Sequence, residues 1–223
     1  MNIAVLMAGP YRGNNDTLNS YIHSFEEYDL FVSCFDHYRK DWKNSGLKIK
    51  EIFSTPKIEI ENTKWFEWRN DSAGQSGFWQ FWNLKSVIEQ SPSDYSFYIK
   101  NRSDLFFNTK LILNFNELKN KTIYASARSF HKNDWDQNFW INDEFYLGDK
   151  DAMNVISKFV TDYYNIYRHP PNYSEASNEA NLSIFLKENQ IVIDKIFNFY
   201  YQKNHNGVRI PTGYTERYQL EKF

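Results

Sequence analysis

Apolar residues in this 223-residue chain come first as short unbroken runs and then as helical stripes. Residues 3–8 (IAVLMA) form a continuous apolar run, 17–28 place Leu18, Tyr21, Ile22 and Phe25 at helical spacing, and 30–35 (LFVSCF) is apolar again. Strands without a polar alternation are those buried on both faces, so this opening predicts a parallel β-α-β unit. The turn that follows the first strand, Gly9-Pro10-Tyr11-Arg12-Gly13, then sits at a carboxyl strand end, where open α/β sheets bind ligands.

A short third strand is expected over 50–54, ended by Pro56, while 59–76 has no clear period and reads as a loop. Residues 77–90 carry Phe78, Phe81, Trp82, Leu84, Val87 and Ile88 on one helical stripe that stops at Ser91-Pro92-Ser93. A strand follows at 95–99, and 111–118 is either a short helix or an irregular apolar patch. Strands are expected at 122–126 and 144–148, helices at 150–167 and 177–190, and a last strand at 191–196. The polar, aromatic segment 128–142 reads as a surface loop and the tail from Tyr200 as irregular. With no repeat, linker or low-complexity segment, residues 1–223 are expected to form a single domain.

Composition narrows the function classes. The chain has 26 Lys and Arg against 28 Asp and Glu, a formal charge of −2. That balance lacks the net basic face that supplies most nucleic-acid affinity, so no nucleic-acid partner is expected. The first apolar run lacks a basic flank, and no run approaches the ~20 residues that span a bilayer, so a soluble, cytoplasmic protein is expected. The single cysteine, Cys34, lies inside an apolar run, where a small buried thiol fits. Aromatic residues make up 19% of the chain, which suits a ring-rich core and equally a stacking platform for sugars or bases. Trp79 and Trp82 fall in the helical segment and are expected to pack it onto the sheet, whereas Trp135 and Trp140 lie in the polar loop and suit stacking on an acceptor.

The stretch YIKNRSDLFF, residues 98–107, puts Lys100, Arg102 and Asp104 at the end of a buried strand. A strand-terminal carboxylate beside a guanidinium can hold a divalent cation or a phosphate-bearing ligand. The same residues also make an ordinary structural ion pair. The spacing leaves both readings open.

The order of the motifs resembles the GT-A class of sugar-nucleotide-dependent glycosyltransferases, and more narrowly the small bacterial and viral glycosyltransferase-like proteins of the WavE type. The shared features are a first strand followed by Gly-x-x-Arg (Gly9 to Arg12), an aromatic helix start (Ser76 to Trp82), Tyr-x-x-x-Arg-x-Asp-Leu (Tyr98 to Leu105) and Asn-Asp-x-Phe-x-x-Gly (Asn142 to Gly148). The resemblance implies a GT-A-like three-layer α/β/α sandwich with a mostly parallel mixed sheet, residues 1–107 being the nucleotide-binding half and 108–223 the acceptor side. It implies an enzyme that moves a sugar from a nucleotide-sugar donor to a hydroxyl of a glycan acceptor, in surface polysaccharide or glycoprotein glycan assembly. Gly9, Tyr11, Arg12, Arg102 and Asp104 would bind the donor. The charge of the departing diphosphate would be met by Mn²⁺ or Mg²⁺ on Asp104, with His205 as a late ligand, or by the guanidiniums of Arg12 and Arg102. If the reaction inverts the anomeric centre, Asp143, with Glu144 second, would take the acceptor proton, whereas a retaining mechanism needs no such base. Two positions depart from the pattern: Arg102-x-Asp104 retains only the last carboxylate of the usual Asp-x-Asp, and Glu144 replaces a Gln. The alternatives are a carbohydrate-binding module that keeps the fold without catalysis and a nucleotide-sugar hydrolase that uses the same site without an acceptor.

Overall fold

The strands are β1 (Ile3–Ala8), β2 (Asp29–Cys34), β3 (Ile49–Ser54), β4 (Phe97–Lys100), β5 (Thr109–Leu111), β6 (Thr122–Arg128), β7 (Trp140–Gly148), β8 (Val192–Asn198), β9 (Gln202–Lys203), β10 (Arg209–Ile210) and β11 (Leu220–Lys222). The helices are α1 (Asn15–Phe25), α2 (Arg39–Lys43), α3 (Ser72–Gln90), α4 (Lys150–Ile166) and α5 (Asn178–Glu188). They belong to a computed structural model that describes residues 2–58, 72–105, 107, 109–111, 117–128, 140–166, 178–198, 202–203, 209–210 and 220–222.

Seven strands make one sheet in the order β3-β2-β1-β4-β7-β6-β8. β1 runs parallel to β2 and β4, β2 to β3, and β6 to β8, while β7 is antiparallel to both of its neighbours. The apolar runs account for the middle of the sheet. Ala4, Val5 and Leu6 of β1 are fully buried because both faces are covered. Ala4 and Leu6 pack under α3, α4 and α5, whereas Val5 and Met7 pack over α1 and α2. The result is a three-layer α/β/α sandwich with a mostly parallel mixed sheet. β3, at an edge, has only exposed and half-buried positions, in keeping with its mixed sequence.

Several boundaries differ from the sequence reading. α3 begins at Ser72, inside the segment read as loop, because its first turn (SAGQSG) carries no apolar stripe to announce a helix. β7 begins at Trp140, so the Asn142-Asp143-Glu144 motif lies within a strand and not ahead of one. Thr109–Leu111 is a strand paired with Leu220–Lys222. That pairing joins residues about half the chain apart, which local pattern cannot announce. No helix among the described residues is long and apolar enough to cross a membrane.

Helix α1 starts with a capping box: Asn14 Oδ1 accepts from the Thr17 amide at 3.0 Å, and Thr17 Oγ1 accepts from the Asn14 amide at 2.8 Å. Two orphan donors are satisfied, and the helix start is held directly behind the Gly9 to Gly13 turn.

Burial has a measurable consequence at Cys34, which is 0% exposed. Burial pushes its thiol from an ordinary 9.0 up to about 11, and it likewise pushes the Tyr98 hydroxyl up to about 12. A folded pKa above the unfolded one means the stabilisation is complete below the unfolded value and is lost as pH rises through the folded value. Urea midpoints are therefore expected to hold up to about pH 9 and fall steadily towards pH 11. A thiol reagent at pH 8 should label Cys34 only after unfolding. Rapid labelling of the native protein would contradict this packing.

Candidate functional site

The chain adds β2 and β3 on one side of β1 and then returns to place β4 on the other. The crevice between the carboxyl ends of β1 and β4 is therefore a topological switch point. Three turns meet there. The Gly9 amide donates to Ser33 O at 2.9 Å, and the Asn101 amide donates to Leu6 O at 2.9 Å. The Arg12 amide donates to Ser103 Oγ at 2.9 Å, tying the β1 turn to the β4 turn across the crevice.

Glycine is required twice in the first turn. Gly9 has φ +85°, in the left-handed region. At Gly13 a Cβ would lie 2.5 Å from Tyr11 Oη and 2.9 Å from the Ser103 carbonyl oxygen, so the two turns approach too closely for a side chain. Beneath them, Trp42 is 1% exposed and donates its indole N–H to Gly9 O at 2.8 Å. The Tyr11 ring stands edge-on to Trp42 at 5.2 Å.

The cleft above these turns has a volume of about 320 Å³. One wall is aromatic. Phe35 stacks on His37 at 6.0 Å and meets Trp79 edge-on at 5.3 Å, and His37 lies 3.9 Å from the Tyr38 ring. Trp82 packs as expected, donating to Pro56 O at 2.8 Å, but Trp79 also faces the cleft. The lining also carries charge, with Arg12, Lys100, Arg102 and Asp104. Arg102 grips Asp104 with both arms of its fork, Nε to Oδ1 at 2.8 Å and Nη2 to Oδ2 at 2.7 Å. The Lys100 side chain, 3% exposed, has its Nζ 5.1 Å from the Tyr146 ring centroid. The ion pair within YIKNRSDLFF is present, and it lies in the lining of the cleft.

A buried polar cluster holds Asn83, one of the lining residues. Ser33 Oγ lies 2.8 Å from Thr55 Oγ1 and 2.7 Å from Ser86 Oγ. Thr55 donates to Asn83 Oδ1 at 2.6 Å, and Asn83 Nδ2 donates to Trp79 O at 2.6 Å. These bonds replace apolar packing between α3 and the ends of β2 and β3, and they hold Asn83 against the cleft. The isolated polar positions Ser33, Thr55, Asn83 and Ser86 within apolar stretches were the only signal for this cluster in the sequence.

Of the residues singled out from sequence, Gly9, Arg12, Arg102 and Asp104 line one cleft. Tyr11 lies behind the turn, against Trp42. Asp143 and Glu144 belong to β7, where the ladder to β6 steps two residues from Ala125 to Ala127 against five from Tyr146 to Ile141. Residues 142–145 therefore carry a bulge, a feature that occurs preferentially beside active sites. Lys100, the last residue of β4, pairs with Tyr146, so this bulge extends past the carboxyl end of β4. His205 and Trp135 lie outside the described residues.

The described donors of this cleft do not suit a divalent ion. Among the described residues no group of three or more His, Cys, Asp and Glu side chains comes together. Asp104, the one carboxylate among the described lining residues, already accepts from Arg102 on both oxygens.

No family model matches the sequence, and no curated protein matches it. Solved structures do. Mouse xyloside xylosyltransferase 1 in its apo form aligns over 88% of this chain and 85% of its own, with 10% identity and a TM-score of 0.44. A 4-diphosphocytidyl-2C-methyl-D-erythritol synthase from Anaerococcus prevotii aligns over 95% and 91%, with 10% identity and a TM-score of 0.49. A CMP:2-keto-3-deoxy-manno-octonic acid synthetase complexed with CTP aligns over 89% and 90%, with 12% identity and a TM-score of 0.41.

Proposed function

We propose that the protein is a glycosyltransferase that moves a sugar from a nucleoside-diphosphate donor to a hydroxyl of a glycan, in surface polysaccharide or glycoprotein glycan assembly. The observation that carries this reading is the pairing, in one switch-point cleft, of an aromatic wall (Phe35, His37, Trp79) with the guanidiniums of Arg12 and Arg102. A planar base stacks on rings, and a diphosphate is matched by forked cations. The acceptor oxygen bonds to the anomeric carbon while the bond from that carbon to the diphosphate oxygen breaks, and the electron pair leaves on the β-phosphate. The two guanidiniums stabilise that growing charge. Asp143 is assigned the acceptor's proton, with Glu144 as the second choice, on the strength of their position in the β7 bulge.

The test is a panel of UDP-, CDP- and GDP-sugars incubated with and without glycan acceptors, reading nucleoside diphosphate release. Acceptor-dependent release from one donor is expected. Equal release with and without acceptor would make the protein a hydrolase, and pyrophosphate release from a nucleoside triphosphate would make it a nucleotidyltransferase. No turnover of any donor would leave a binding module.

A further inference from the structure

We infer that the diphosphate subsite of this cleft works without a divalent metal, and that Asp104 is a positioning residue that aims Arg102 at the phosphates. The inference rests on the nucleotide reading above and specifies how that nucleotide is held.

The first observation is the fork. Both Asp104 oxygens accept from Arg102, at 2.8 and 2.7 Å, and the two side chains are only 24% and 16% exposed. An ion coordinated by Asp104 would have to displace one or both of these charge-assisted bonds. It would then sit next to the released guanidinium, where like charges repel in a partly desolvated site. With only Ser103 between them, Arg102 and Asp104 hold each other in one short turn, so the carboxylate restricts the guanidinium plane.

The second observation is the charge of the cleft. Its described lining brings Arg12, Lys100 and Arg102 together, a set of cations that matches a diphosphate. The third observation is the Arg12 amide bond to Ser103 Oγ. It brings the second guanidinium-bearing turn to the same rim, so that cations from β1 and β4 face one ligand.

The test is calorimetric titration of UDP, CDP, GDP and inorganic pyrophosphate in EDTA, in Mn²⁺ and at rising NaCl, for the wild type and for Asp104→Asn, Asp104→Glu and Arg102→Lys. Binding in EDTA equal to that in Mn²⁺ within about twofold, and falling steeply with salt, is expected. Asp104→Asn keeps one acceptor but loses the charge, and should weaken binding roughly tenfold in both conditions. Asp104→Glu should restore part of the loss, and Arg102→Lys, which keeps charge without the fork, should not. Urea midpoints of all three variants near wild type would separate aim from folding. Binding that requires Mn²⁺, with Asp104→Asn abolishing only the Mn²⁺ response, would overturn the inference and leave the glycosyltransferase reading standing. Pyrophosphate binding in EDTA without any nucleotide preference would instead overturn the nucleotide reading while keeping the metal-free anion site. No binding of any probe would overturn both.

Discussion

Arg102→Ala is expected to lower the affinity for the preferred nucleoside diphosphate about 100-fold, with little change in the urea midpoint. Hydrogen bonds to charged groups contribute about 1.5–3 kcal/mol, and every 1.4 kcal/mol is about tenfold in affinity. The deletion also removes the partner of Asp104, whose two oxygens accept from the guanidinium at 2.8 and 2.7 Å. The carboxylate would then face the phosphates uncompensated by that fork, which adds repulsion to the lost attraction. Arg102→Ala should therefore cost more than Arg12→Ala, since Arg12 is exposed and its described bond to the β4 turn is made by its backbone. A calorimetric titration of both variants decides the matter. A loss of under about threefold for Arg102→Ala would remove the fork from the binding site.

Trp42→Ala should be the most destabilising single change at the base of the site. Deleting a buried Trp side chain costs about 3–5 kcal/mol, through lost transfer energy and the cavity left behind. Trp42 is 1% exposed, packs against Val5 and Met7 in the lower core, and supports both the Gly9 carbonyl and the Tyr11 ring. Against a typical stability of about 5–15 kcal/mol, such a loss moves a domain of this size down by roughly 10 °C or more in Tm. Trp42→Phe keeps most of the ring volume but not the indole N–H, and should cost about 1–3 kcal/mol by leaving the Gly9 carbonyl short of a donor. Urea unfolding of the two variants, with nucleotide titration of the Phe form, separates the packing from the turn. A Trp42→Ala loss below about 1 kcal/mol would show that the turn does not rest on this ring.

The elements most legible in advance were those whose pattern is forced by burial on both faces. IAVLMA and the run around Phe31 cannot be solvated on either side, so β1, α1 and β2 are found within a few residues of expectation. The stripe from Phe78 to Ile88 likewise announced the body of α3. β7 was cut short in the reading because its first residues, Trp-Ile-Asn-Asp-Glu, alternate with no consistent period. The bulge at residues 142–145 explains why: Ile141 and Tyr146 are five apart, yet both belong to the upper core. Regular alternation would put them on opposite faces. Trp42 gave no local sign of its role, because a Trp in a five-residue helix has no stripe to join and its indole meets a carbonyl 33 positions away.

The same division holds at the site. Periodicity and turn residues were enough to establish an α/β sheet with a glycine turn at one strand end and Lys100, Arg102 and Asp104 at another, because backbone burial and φ preference act over a few residues. Whether those two ends meet is a matter of strand order, and strand order depends on contacts between segments about 90 residues apart, such as Arg12 with Ser103. That both Asp104 oxygens accept from Arg102 depends on side-chain geometry of a few tenths of an ångström. Spacing carries no such information, and the folded chain supplies it by closing the Arg102 fork at the rim of the cleft.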